Sequence, residues 1–372
     1  MKVLQLTAHF SPNIGGVETH LDDLVNALIK RKRNVVVLTY RPLTTRVRWK
    51  IYERRDNLII IRIPWLSNLF YQLIKLPLLE FLYLLPGLFV LTPIILIMEN
   101  PDVIHAHGLV SGFVGVFWGK IFKKRIVISV HSIYSFPKKG FYRDFASWIF
   151  KKADFCLALS KKATDEILSL DIDSTKVKTF TYWIDLEKFK VVKKAKFYLN
   201  WSDKFIVLFV GRLVSEKGLT ELLESAKEWN QNIKLKIIGS GPFESKIKKF
   251  SFQYKNIEFI GVVNQDKLPI YYSGSDILIV PSTSEEGFGR VILEALACGT
   301  PVIGSNRGAI PEVINESVGM LIEISPKKIK QAVEFFYESK NSLTKLSKKC
   351  RDFAERRFSE KNVEAIISTY NK

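Results

Sequence analysis

The 372-residue chain predicts two α/β domains, each a parallel sheet with helices on both faces. Three observations predict it. Short apolar strands alternate with segments of helical periodicity. The alternation stops in a charged, broken stretch, Glu187 to Lys204, and starts afresh after it. Hydrophobic residues make up 47% of the chain, enough for two cores and too many for a disordered protein.

In the first half, Val3 to Ala8 reads as a buried strand, and Val17, Leu21, Leu24, Val25 and Leu28 follow at helical spacing. Asn34 to Tyr40, Leu58 to Ile63, Val103 to His107, Ile126 to Val130 and Phe155 to Leu159 read as further strands. Unbroken apolar runs of this length suit a sheet covered on both faces. The second half places strands at Phe205 to Val210, Lys234 to Ile238, Ile257 to Ile260, Ile277 to Val280 and Pro301 to Gly304, with helices starting near Gly218, Phe243, Lys267 and Gly289. The expected domains are 1–186 and 187–358. A last helix, 359–372, is expected to pack back on the first domain.

Leu66 to Met98 does not fit this alternation. It is strongly apolar, and Phe81 to Met98 carries no charge. Its length permits a membrane span, but Pro77, Pro86 and Pro93 interrupt it and the sheet pattern resumes at Asp102. An interfacial helix or hairpin is the reading adopted, with a buried helix pair as its alternative. The net charge of +19 asks either for an anionic partner or for nothing more than a solvated surface, and its lysines and arginines come as short scattered clusters rather than one tract. An anionic membrane surface or an anionic small substrate suits that pattern better than nucleic acid, which is not expected as a partner. Cys156, Cys298 and Cys350 are far apart and read as buried thiols of a reducing compartment. Met1 to Leu6 reads as a strand rather than as a secretory signal. The expected location is the cytoplasm, peripheral on the cytoplasmic face of a membrane.

The chemistry is concentrated in the second half. Arg212 and Lys217 lie on one strand-to-helix loop, where a bidentate fork and a point charge can converge on a diphosphate beside a helix N-terminus, although taken alone the pair reads equally as two exposed surface cations. After the strand Ile277 to Val280 comes Glu286-Gly287-Phe288-Gly289-Arg290, with Glu294 about two turns into the following helix. The glycines let backbone approach a ligand closely. Glu286 and Glu294 are too far apart to serve one atom as an acid/base pair and suit two ends of an elongated ligand.

With Gly15-Gly16-Val17-Glu18, Gly211-Arg212-Leu213, Lys217-Gly218, the Glu286 to Glu294 pair, Ala295 to Ile303 and Gly308 to Val313 in this order, the chain resembles the family 4 retaining glycosyltransferases of GT-B architecture. The resemblance implies two facing Rossmann-like domains with a cleft between them. It implies sugar transfer, hexosyltransferase-like, from a nucleoside-diphosphate sugar, with no metal and no cofactor. It implies that Arg212 and Lys217 neutralise the diphosphate, Glu286 faces the transferred sugar and Glu294 holds the ribose. The backbone of Phe288 and Gly289 would contact sugar and phosphate, and that of Val263 would read the base. Gly16 would let the diphosphate approach, and His131 would lie near the sugar, making Glu286 and His131 the catalytic residues. The stretch Phe10 to Thr39 is similar to members that glycosylate inositol phospholipids, which implies a lipid-linked acceptor.

Two features depart from the pattern. Thr181-Tyr182-Trp183 stands where the family usually reads Pro-Asn-Gly. His105 and His107 share one side of a strand, but no third metal ligand is evident, so a packed or acceptor-side role is expected. The competing functions are an epimerase or phosphorylase on the same fold and a non-catalytic nucleic-acid-binding protein. The first lacks the carboxylates or lysine it needs, and the second lacks a continuous basic face.

Overall fold

The computed structural model describes residues 1–13, 15–43, 47–66 and 76–371. The chain divides into two compact units, Met1–Tyr182 with Glu360–Lys372, and Trp183–Ser359. The division falls between Tyr182 and Trp183 rather than after 186, and the last residues belong to the first unit.

The first unit holds a sheet of eight strands in the order β3-β4-β2-β1-β5-β6-β7-β8. They are β1 (Lys2–Thr7), β2 (Asn34–Tyr40), β3 (Tyr52–Arg55), β4 (Leu58–Ile63), β5 (Val103–His107), β6 (Arg125–Val130), β7 (Phe155–Ala158) and β8 (Val177–Thr179). β3 alone runs antiparallel, at the edge beside β4. It was not expected, because Tyr52-Glu53-Arg54-Arg55 carries the charge that protects an edge rather than the apolar run of a central strand. β8 was missed for a similar reason, being three residues at the other edge.

Pairing is in step across the centre of this sheet, with Leu4 opposite Ile104, Gln5 opposite His105 and Thr7 opposite His107. Side chains alternate faces along each strand. Leu4, Leu6, Ile104, Ala106, Ile126 and Ile128 therefore form one apolar face and are buried in the core. Gln5, His105, His107 and Ser129 share the opposite face and are also buried.

Among the described residues the apolar segment forms one helix, Pro77–Glu99, running through Pro86 and Pro93. The expected interruption does not occur because side chains from the domain repair the backbone. Proline at 93 leaves the Phe89 carbonyl without its helical donor, and Trp118 Nε1 donates to it at 2.9 Å. Near Pro86, the Tyr40 hydroxyl donates to the Leu84 carbonyl and accepts from the Leu88 N–H at 3.2 Å. A Cβ on Gly87 would lie 2.7 Å from the Tyr40 ring, so only glycine leaves that ring room. Residues 67–75 of the same apolar segment lie outside the described residues.

The second unit holds six parallel strands in the order β11-β10-β9-β12-β13-β14. They are β9 (Phe205–Val210), β10 (Ile233–Ile238), β11 (Ile257–Gly261), β12 (Ile277–Val280), β13 (Val302–Ser305) and β14 (Gly319–Ile322). β14 was not expected; it is short and pairs only with β13 at the sheet's edge. From β9 the chain builds outward to β10 and β11, then returns to β12 on the other side of β9. That reversal opens a crevice at the carboxyl ends of β9 and β12. The first sheet reverses in the same way between β1 and β5.

Candidate functional site

The loops that leave β9 and β12 meet at the crevice of the second unit. Their contact depends on Gly218, at φ 68°, where a Cβ would lie 1.8 Å from the Pro281 carbonyl oxygen. No side chain fits there, so glycine sets the spacing. The Thr283 N–H donates to the Glu216 carbonyl at 2.9 Å and ties the loops together.

This approach carries Lys217 onto Glu286. Lys217 Nζ lies 2.7 and 2.5 Å from the two carboxylate oxygens, and the Ser282 hydroxyl donates to one of them at 2.9 Å. The Glu286 carbonyl accepts from the Ala309 N–H at 2.9 Å. Gly308, at φ 61°, packs so closely that a Cβ would lie 2.3 Å from the same carbonyl oxygen. Glu286 is thus fixed at both backbone and side chain. Burial pushes its carboxyl up, but Lys217, Ser282 and the nearby Arg212 guanidinium outweigh burial and hold it below the usual carboxylate range. Arg212 itself is exposed to solvent.

Gly289, at φ 68°, caps the helix Arg290–Ala297. Phe288 is buried edge-on against Phe358, with ring centres 6.3 Å apart, which anchors the loop that presents the helix N-terminus. Glu294 lies on the buried side of that helix. It accepts from the Tyr272 hydroxyl at 2.8 Å and pairs with Arg290 Nε at 3.4 Å. The structure thus brings Glu286, Lys217 and Arg212 together and gives Glu294 separate partners. Val263 follows β11, two strands from β9 along the same sheet edge, or about 10 Å at ordinary strand spacing.

The other expected residues belong to the first unit. Gly16 is the exposed first residue of the helix Gly16–Lys30. Beside it, a Cβ on Gly15 would lie 2.2 Å from the Glu18 carboxylate, which accepts from Asn13 Nδ2 at 2.8 Å. His131 follows β6 and has both ring nitrogens engaged: Nδ1 lies 3.0 Å from the Tyr182 hydroxyl and Nε2 lies 3.0 Å from His107 Nδ1.

These contacts continue as a directed chain. Burial pushes His131 down to about 3 and holds His105 and His107 well below the usual imidazole range, so all three are neutral. His107 Nε2 lies 2.6 Å from Gln5 Oε1, which only accepts, so the His107 proton is on Nε2. His107 Nδ1 then accepts from His131 Nε2–H, and His131 Nδ1 accepts from Tyr182. At the far end, His105 Nδ1 lies 2.6 Å from the Tyr370 hydroxyl and Nε2 lies 2.7 Å from Ser129 Oγ. His105 and His107 are therefore packing residues whose hydrogen bonds are met within the unit. Among the described residues, no three His, Cys, Asp or Glu side chains gather as metal ligands.

Tyr182, Gln5, Tyr370, Ser282 and Tyr272 took no part in the sequence reading of the site. Tyr182 alone left a signal, since it stands at the position that departs from the family pattern.

Comparisons with known proteins agree with this architecture. Residues 14–188 match the model described as Glycosyltransferase Family 4, and residues 192–357 match Glycosyl transferases group 1. An uncharacterized glycosyltransferase of Methanocaldococcus jannaschii is 28% identical over 341 residues, covering 86% of this chain and 84% of that protein. A phosphatidylinositol N-acetylglucosaminyltransferase component of Arabidopsis thaliana is 25% identical over 347 residues, covering 90% of this chain and 74% of that protein. An Anabaena protein solved in complex with UDP-glucose superposes with a TM-score of 0.76 at 18% identity, covering 99% of this chain and 100% of that one. With two α/β units on parallel sheets and both family models matched in order along it, the chain belongs to the family 4, group 1 glycosyltransferases of GT-B fold.

Proposed function

We propose that the protein transfers a sugar, with retention of anomeric configuration, from a nucleoside-diphosphate sugar to a lipid-linked acceptor, without a metal or cofactor. The observation that carries this reading is the Lys217–Glu286 ion pair, with Arg212 beside it, at the crevice of the second sheet. Cations there meet the diphosphate, and Glu286 is left to face the sugar. The Val263 backbone two strands away reads the base, Glu294 meets the ribose, and the backbone of Phe288 and Gly289 contacts sugar and phosphate. The relative solved with UDP-glucose supports the donor class. The phosphatidylinositol-modifying relative supports a lipid-borne acceptor, and a peripheral position on the cytoplasmic face of a membrane is part of the same proposal.

The reaction breaks the bond between the anomeric carbon and the phosphate oxygen, and the electron pair leaves with the nucleoside diphosphate. Arg212, Lys217 and the helix N-terminus at Gly289 stabilise that growing negative charge. Glu286 binds a sugar hydroxyl and offsets the positive charge developing on the ring. The acceptor hydroxyl attacks from the face the phosphate leaves, and its proton passes to the departing phosphate oxygen, so the chain needs no separate base. The resemblance assigns His131, held neutral and in one orientation by Tyr182 and His107, to the sugar, and Gly16 to the diphosphate.

Thermal unfolding with UDP, GDP, ADP and UDP-glucose, each with and without a chelator, tests the donor half of this reading. One nucleoside diphosphate raises the melting temperature in the chelator's presence. No shift with any of them, or a shift the chelator abolishes, rejects it. NMR of the product's anomeric proton reads retention directly.

A further inference from the structure

The helix Pro77–Glu99 turns two unlike sides outward and inward. Leu84, Leu88, Ile95 and Leu96 are buried in the domain core. Leu78, Leu82, Val90, Ile94 and Ile97 face water at helical spacing, with Val90 at 62% and Ile97 at 70% exposure. A water-facing stripe on a soluble helix is ordinarily polar, and this one holds no charge across about five turns.

Ring contacts extend the apolar face onto two neighbouring helices, Gly108–Ile121 and Phe141–Lys152. Phe89 meets Phe117 at 5.0 Å, Phe81 meets Phe145 at 5.4 Å, and Phe113 meets Trp148 at 6.1 Å between ring centres. Phe117, Ile121, Phe141 and Trp148 all reach solvent. Where this ladder ends, a cavity of about 460 Å³ opens, with Phe117, Trp148, Lys120, Lys151, Lys152 and Lys176 among its lining residues. Asp154 is the carboxylate among them; it accepts from the Ile126 N–H at 2.7 Å and lies 4.0 Å from Lys120.

We infer that this face docks on a bilayer and that the four lysines hold the phosphate of an anionic phospholipid, with Trp148 and Phe117 beside its acyl chains. Apolar burial and headgroup attraction reinforce each other in such a surface. A membrane span is the wrong occupant for this helix. Its inner side is committed to the core, and Trp118 and Tyr40 hydrogen-bond its backbone near the prolines it runs through. A second copy of the chain is disfavoured too, since a two-fold contact lays the patch on itself and sets lysines against lysines. The inference deepens the lipid-acceptor reading and rests on it for its purpose, while vesicle binding is measured without any sugar transfer.

The test is flotation of the full chain with phosphatidylcholine vesicles, with and without phosphatidylglycerol, alongside thermal shift by nucleoside diphosphate. Wild type floats with the anionic vesicles, and raised salt weakens it. The double variant Lys151→Glu, Lys152→Glu lowers the partition coefficient at least about 25-fold, at about fivefold per lysine. The double variant Val90→Gln, Ile97→Gln lowers it about tenfold per residue. Brominated lipid quenches wild-type tryptophan emission more than that of Trp148→Phe. The inference is overturned if wild type stays at the bottom of the gradient, if the variants float as wild type does, or if light scattering shows a dimer that Val90→Gln, Ile97→Gln dissociates. Absent flotation with an intact nucleotide shift defeats the docking surface alone. Flotation without any nucleotide shift supports the surface and defeats the donor reading.

Discussion

One polar cluster in each unit stands at the carboxyl end of its sheet, and the two are built from opposite electrostatics. In the second unit the groups at the crevice are charged and paired with each other: Lys217 on Glu286, with Arg212 close by. In the first unit the histidines that end β5 and follow β6 are neutral and joined in a chain from Tyr182 through His131 and His107 to Gln5. An ion pair can exchange one partner for a ligand of the same sign, so the first arrangement suits a diphosphate arriving and leaving. A chain of neutral donors and acceptors, each already satisfied, holds its members in place and adds no charge. On the proposed reading, the charged cluster neutralises a leaving group and the neutral one presents a fixed shape.

The most severe way to break this contrast is to remove the carboxylate. Glu286→Gln is expected to lower kcat by about 10²–10³, the scale for losing one preorganised electrostatic contact, while nucleoside-diphosphate affinity changes little. Steady-state kinetics with parallel calorimetry reads both, and equal losses in kcat and affinity would move Glu286 from the sugar to the diphosphate.

Removing the cations should cost less and in the other parameter. Arg212→Ala and Lys217→Ala are each expected to weaken nucleoside-diphosphate binding about 10- to 100-fold, from about 1.5–3 kcal/mol per charge-assisted contact. Titration calorimetry checks this. Unchanged affinity in both variants would place the diphosphate elsewhere.

The neutral side is tested by pH. With its imidazole pushed down to about 3, His131 should stay uncharged from pH 8 to pH 5 and carry its proton on Nε2, as ring nitrogen shifts will show. The unfolded chain takes up a proton near 6.5 and the folded chain does not, so this group's contribution is present above about 6.5 and lost as pH falls toward 3. Asp22 and Glu80, which burial pushes up to about 7, act in the opposite sense. The gap in melting temperature between wild type and His131→Gln should therefore narrow from pH 7 to pH 5. A ring that titrates near 6.5 would dissolve the contrast between the two edges.

The smallest effect is expected from a chelator, which should leave turnover unchanged because Arg212 and Lys217 already supply the positive charge. A loss restored by a divalent cation would mean that the second unit's edge is electrostatically incomplete.

Much of this molecule is written in local pattern. Central strands such as Asn34–Tyr40 and Phe205–Val210 are buried on both faces, so their apolar runs mark them plainly. The edge strands Tyr52–Arg55 and Gly319–Ile322 escaped because an edge needs little apolar surface and β3 carries charge instead. Arg212, Lys217, Glu286 and Glu294 stand out in the sequence as candidates from their spacing around glycines at strand ends. That Lys217 grips Glu286, 69 residues away, was not legible, because the contact depends on Gly218 letting two loops close on each other.

The sequence by itself determined two α/β halves and the positions of the charged loops, since each follows from short-range periodicity and composition. Only the tertiary structure decided that Pro86 and Pro93 sit inside one helix, and that His105 and His107 join a hydrogen-bonded chain with Tyr182 and Tyr370. The reason is common to both. A polar group left open by its own segment is satisfied by whichever side chain the fold brings near it, and Trp118, Tyr40 and Tyr370 reach their partners across gaps that no local pattern encodes.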